Sequence, residues 1–151
     1  MANTQSMCTS FKGELLTGIH NFGTGVVRAS TAADTFKAAL YLASATINAS
    51  TTAYTASGEV SGSGYTAGGV TVTFGTPPST SGTTAFVTPS ASITYSAVTL
   101  STAFDCVLIY NSSQSDKAVS VHTFGSQTVT AGTFTLTMPV NDASTGLIRL
   151  A

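Results

Sequence analysis

Any acid–base, nucleophilic or metal chemistry in this chain has to come from a short inventory. In 151 residues there are two histidines, His20 and His122, six carboxylates, and two thiols, Cys8 and Cys106. A serine nucleophile on a strand-to-helix elbow needs Gly-x-Ser-x-Gly, and the glycines of residues 58–69 have the wrong spacing for it. The same segment offers Gly62 and Gly64 but Ala67 where a phosphate cradle would carry its third glycine. It also lacks the strand-then-helix context such a cradle needs. The histidines lie in opposite halves of the chain with no carboxylate cluster beside them, so no metal centre and no cofactor site is expected. A protein with so thin an acid–base inventory is expected not to be an enzyme.

The same residues have structural readings. On a period of two, His122 shares a strand face with Ser120 and Phe124, opposite Val119 and Val121, as a hydrogen-bonded or exposed sheet residue would. His20 stands beside a turn and is expected to bond backbone. Asp105 interrupts an apolar run before Cys106. A second carboxylate to make it half of an acid–base pair is not near in sequence. It is expected to meet a hydroxyl, amide or lysine instead. Two cysteines so far apart are no disulfide framework, and free thiols in a reducing cytoplasm are expected over a Cys8–Cys106 bridge.

Composition narrows the partners. Charged residues are 7% of the chain, against about 25% in ordinary soluble domains. Hydroxyls take their place, with 28 Thr and 20 Ser. The basic residues Lys12, Arg28, Lys37, Lys117 and Arg149 are scattered and the net charge is −1. No nucleic-acid footprint and no membrane patch is expected from that pattern. No apolar run approaches the roughly 20 residues of a membrane span. The opening residues show no basic stretch followed by an apolar one, so no secretory signal is expected. The sequons at Asn48 and Asn111 then carry no glycan expectation.

The elements that would position these residues are mostly strands. Phe11, Leu15 and Leu16 share one face of a short helix predicted within Cys8–Gly18, capped by Thr9 or Ser10 and stopped by Gly18. His20 to Gly23 reads as a turn. Period-two patterning predicts strands over 36–42, 70–74, 84–87, 92–100, 104–110, 117–124, 127–130, 133–138 and 146–150. The run from Phe104 to Tyr110 is apolar enough to be buried on both faces. Asn111 to Asp116 is a hairpin turn, and Gly125 is expected to break the strand that follows. The Gly-rich segment 58–69 is expected to be ordered by Tyr54 and Tyr65 as anchors. Eight or nine short strands with turns every eight to twelve residues predict a single-domain antiparallel β-sandwich or barrel, jelly-roll-like, with one short N-terminal helix. The chain divides into an N-terminal segment, 1–22, as a partner-contact arm, and a β-sandwich domain, 23–151.

Strand edges without charge invite pairing with other chains, and natural proteins guard them with lysine, proline or closure. Here there is almost no lysine to do so. The edges must be closed, covered or paired with partner subunits, and a nearly neutral surface suits dense packing of many copies. The candidate interface residues are Phe11, Leu15, Leu16, Phe22, Tyr54 and Tyr65. The Phe11, Leu15 and Leu16 face is more often a helix-on-sheet contact within the chain than a docking face. Tyr54 and Tyr65, with Asn48, have the side chains a glycan site would use.

Met7 to Phe22, Thr35 to Tyr41 and above all Thr51 to Gly69 resemble a group of small β-rich virion structural proteins of tailed bacteriophages. In the C-terminal half, Leu108 to Asn111, Asp116 to Val119, Phe124-Gly125, Gly132 to Phe134, Asn141-Asp142 and Leu147 to Leu150 match the same pattern. Residues 75–92 match least. The resemblance implies a virion structural protein, made in the host bacterial cytoplasm and similar to head decoration, or cement, proteins. Its implied partners are the major capsid protein and copies of itself as a dimer or trimer, with no nucleic acid and no membrane. A tail-associated fibre, adaptor or glycan-binding protein is the alternative. The family has no catalytic motif to transfer.

Overall fold

The computed structural model describes residues 3–8, 10–11, 15, 18–20, 22–23 and 33–150. The elements described end to end are strands: β1 (Ser6–Met7), β2 (Phe36–Leu42), β3 (Val70–Val72), β4 (Ser79–Ser81), β5 (Thr84–Val87), β6 (Ile93–Asn111), β7 (Lys117–Leu136) and β8 (Ile148–Leu150). They form two antiparallel sheets, one ordered β1-β7-β6-β2-β3 and a smaller one ordered β4-β5-β8. The all-β expectation holds. Neither sheet closes on itself among the described residues. The helix expected within Cys8–Gly18 falls largely on residues outside the described ones. Among the described residues no helix is long and apolar enough to cross a membrane.

The hairpin of β6 and β7 is the frame, with strands of 19 and 20 residues. Straightened, each would span roughly 60 Å. Its turn is polar, as expected. The Asn111 Oδ1 accepts the Ser113 N–H at 3.1 Å, and Ser115 and Asp116 take positive φ (54° and 56°). Short polar side chains tolerate that conformation better than most.

Two strand boundaries differ from the sequence expectation. Residues 92–100 and 104–110 belong to one strand, and β7 runs through Gly125 without a break. Bulges explain both. β6 advances from Leu100 to Phe104 while β7 advances only from Val129 to Gln127; β7 then advances to Thr123 while β6 reaches only Cys106. Each bulge interrupts the period-two pattern with extra residues without ending the ladder. The predicted many short strands thus become two long ones and six short ones. β4, fully exposed and without an apolar side chain, lies inside what reads as a loop.

The core is densest in the half of the hairpin nearest the turn and continues outward along β6 through Leu100, Val98, Tyr95 and Ile93. Phe104 and Cys106 to Asn111 are buried, as are Ala118, Val119, Ser120 and Val121. β2 pairs along this half, from Phe36 opposite Asn111 to Leu42 opposite Phe104. Phe36 and Tyr41 differ in parity and so point to opposite faces of β2. The Phe36 face meets Phe22 and His20. Tyr41 and Tyr110 carry the long loop 43–69 on the other face. The expectation that the Phe104–Tyr110 run is buried on both faces is met, with Asp105 at its edge half-buried.

Candidate functional site

Glu59 organises the loop 43–69, and it does so through tyrosines. The Tyr54 hydroxyl donates to its Oε2 at 2.6 Å and the Tyr65 hydroxyl to its Oε1 at 2.7 Å. The Gly68 N–H also donates to Oε1 at 2.7 Å. Tyr65 in turn accepts the Leu40 N–H at 3.1 Å. The other three tyrosines tie down nearby backbone. Tyr41 donates to the Thr55 carbonyl, Tyr95 to that of Ala38 and Tyr110 to that of Gly68. All five tyrosines of the chain are used in this way. Burial, then the hydrogen bond to Glu59, pushes the Tyr54 hydroxyl up to about 12, and burial followed by Glu59 raises Tyr65 also. Both hydroxyls therefore stay protonated as donors at any physiological pH. The glycines let the loop lie flat. At Gly69 (φ +75°) a Cβ would fall 1.6 Å from the Ala38 carbonyl oxygen, and at Gly62 one would fall 1.9 Å from that of Thr99.

Tyr54 and Tyr65 thus sit where loop anchors should. Their hydroxyls converge on a carboxylate of the same chain, and the Tyr54 ring stacks on Tyr110 with centroids 4.9 Å apart. Tyr54 also borders an open, hydroxyl-rich hollow formed by residues 46–55, Asn48 among them. Asn48 holds its own turn there, its Oδ1 accepting the Ser50 N–H at 2.8 Å.

The N-terminal candidates are drawn inward. Phe11 is fully buried and Phe22 nearly so. Phe22 stacks on Phe36 (4.8 Å) and meets Phe74 edge-on (5.0 Å), while Phe11 packs edge-on against His20 (4.8 Å). Leu15 is half-buried. With Phe11 and Phe22 it lines a hollow of about 80 Å³ whose other wall is Phe86, Pro78 and Ile148 of the small-sheet region. The segment therefore touches both sheets. Leu16 lies outside the described residues.

The His20 ring meets the Asn111 side chain. Since Asn111 Oδ1 is committed to Ser113, its Nδ2 faces both Asp34 Oδ2 (2.8 Å) and His20 Nδ1 (3.1 Å). A nitrogen facing an amide donor must accept, so His20 carries its proton on Nε2. Asp34 also accepts from Gln114 Nε2 at 3.3 Å. This set joins the N-terminal segment to the hairpin turn. Sequence reading missed Asn111 and Asp34 as members of it.

The remaining candidates have local partners. The His122 Nε2 lies 2.9 Å from the Ser120 Oγ, on the face expected, and burial pushes the imidazole down to about 4. Asp105 Oδ1 accepts from the Asn3 amide at 2.5 Å, and that amide also donates to the Leu42 carbonyl. Cys8 and Cys106 are both buried and are not joined in a disulfide. Burial pushes the Cys106 thiol up to about 12, with the Asp105 charge adding to it. Among the described residues no three His, Cys, Asp or Glu side chains gather as a metal site would need. The arrangement positions backbone and holds segments together.

Comparison with family models, with curated proteins and with solved structures gave no match to this chain or its fold.

Proposed function

We propose that this chain is a structural protein of a tailed-bacteriophage virion, without catalytic activity. Its role is that of a capsid decoration (cement) protein that staples neighbouring major capsid subunits. The two sheets act as a compact, sandwich-like body. Copies of that body contact the major capsid protein and one another, on the head surface of a particle assembled in the bacterial cytoplasm. The observation that carries the reading is the outer half of the β6–β7 hairpin. β2 pairs no farther along β6 than Phe104, and β1 covers only Ser120 and Val121 of β7. No charged residue occurs in residues 60–104 or 118–141. Beyond Phe104 only loop residues reach β6, Ala43 at Ala103 and Ser63 at Thr99, and no described strand pairs the outer edge of β7 there. Long uncharged strands so little covered suit a chain that lives surrounded by others. The sequence resemblance supports the same reading.

Because Phe11 and Phe22 are buried in the chain's own core, the capsid contact falls to exposed surfaces. Leu15, the 43–69 loop and the outer hairpin are the candidates. Purified protein added to heads that lack it tests this. Saturable co-sedimentation at a fixed ratio to capsid subunits, with heads more resistant to heat, is the expected result. Failure to bind heads under conditions where the protein is folded would overturn it.

A tail-associated, glycan-binding role is the second reading. It is favoured by the hydroxyl-rich hollow of residues 46–55 with Asn48 and Tyr54 on its rim. Binding to host surface polysaccharide but not to heads would select it.

A further inference from the structure

We propose that the outer edge of β7 at residues 132–136 pairs with the same edge of a second copy, antiparallel, about a two-fold axis through Phe134. The proposal rests on the chain's own edge and not on the virion reading. On its inner side this stretch is regular: Leu136, Thr135 and Phe134 pair with Ile93, Thr94 and Tyr95 in unbroken register. Between Phe134 and Gly132 the register shifts because β6 carries an extra residue, with Ala97 at φ +53°, and past Gly132 it shifts again, with Ala131 at φ +47°. On its outer side no described strand pairs with it, and no backbone hydrogen bond from another described segment reaches it. An antiparallel edge is complementary to itself under a two-fold rotation, which is the commonest symmetry of homo-oligomers.

Three features fit a second copy as the occupant. Near a two-fold axis each residue faces its own copy, so any charge would oppose itself. Residues 118–141 hold none. Centring the pairing on Phe134 sets Thr133 opposite Thr135 of the other copy, and Gly132 opposite Leu136. The threonines would extend the pair already formed by Thr94 and Thr135, whose hydroxyls lie 3.5 Å apart. Threonine pairs of this kind stabilise adjacent strands. The glycine leaves room for the leucine. On the same face as the glycine and leucine, opposite the threonines, the half-buried Phe134 ring, which packs on Phe104 (5.0 Å) and Phe124 (5.2 Å), would meet its own counterpart.

Sedimentation equilibrium on the full chain tests this with a charge swap. Thr133 and Thr135 are exposed, so substitution there spares the core, and circular dichroism confirms that each variant folds. The native chain should be a dimer. Thr133→Lys combined with Thr135→Lys should weaken dimerisation at least tenfold, since lysines then oppose lysines. Thr133→Lys combined with Thr135→Glu sets opposite charges across the axis and should restore it. A native chain that stays monomeric or forms trimers would overturn the proposal. So would a dimer indifferent to the lysine pair, or a charge-swapped variant as weak as the double lysine.

Discussion

Tyr65 donates its hydroxyl proton to Glu59 at 2.7 Å while accepting the Leu40 N–H, so one side chain ties the glycine-rich loop to the central strand β2. Glu59 receives a second hydroxyl and a backbone N–H besides. Hydrogen bonds to a charged group contribute about 1.5–3 kcal/mol each, less where water reaches them. Glu59→Gln places an amide donor where a donor already points. It should cost about 2 kcal/mol in urea unfolding and speed amide exchange through residues 54–69. A loss under about 0.5 kcal/mol, on the scale of an ordinary surface change, would show that the cluster does not hold the loop.

Backbone contact makes a second prediction. Gly69→Ala would drive a Cβ into the Ala38 carbonyl, whereas the space beside Gly82, at a similar positive φ of 58°, is open. Gly82→Ala should cost about 1 kcal/mol from backbone strain alone. Gly69→Ala should cost several times that or prevent folding. Equal unfolding midpoints for the two variants would contradict the close approach of loop and strand.

The N-terminal segment supplies a third. Phe11 is fully buried beside His20 and Phe22. Phe11→Ala should therefore lower stability by about 3–5 kcal/mol, as large-to-small core changes do. Leu15→Ala, at a half-buried position, should cost less. Were Phe11 a partner contact only, its replacement would leave the thermal midpoint of the isolated protein unmoved.

Protonation of His122 gives a fourth. Burial holds its folded value near 4, below the ordinary 6.5. The unfolded chain then binds a proton that the folded chain refuses. Above pH 6.5 the group has no effect on stability. As pH falls from 6.5 to 4 it destabilises progressively, with a limiting slope of about 1.4 kcal/mol per pH unit. His122→Gln should flatten the stability profile in that window and leave it unchanged above pH 7. A native profile already flat between pH 4 and 6.5 would contradict the assignment.

Much of this was legible in the residues themselves. The alternation from Phe36 to Leu42 marks β2 at both ends, and the polar run from Asn111 to Asp116 marks the hairpin turn. What was not legible depends on partners distant in sequence. The period-two signal fails across Ser101–Ala103 and at Gly125 because bulges there insert extra residues with no partner opposite, although the ladder continues. β4 has no apolar side chain to announce it, and is fixed by pairing with β5. Tyr54 and Tyr65 were recognisable as anchors, but nothing local marks Glu59 as what they hold. The same is true of Asn3, whose amide reaches across to Asp105. The arm-like reading of Phe11 and Phe22 came from their nearness to a terminus. Their burial against Phe36 and Phe74 is set by residues brought close only by the fold.

The central claim, that the protein is a component of the virion head, is tested most directly by gold-labelled antibody on intact virions. The account predicts label spread at regular spacing over the head and absent from the tail. Label confined to the tail, or no label on any virion, would contradict it.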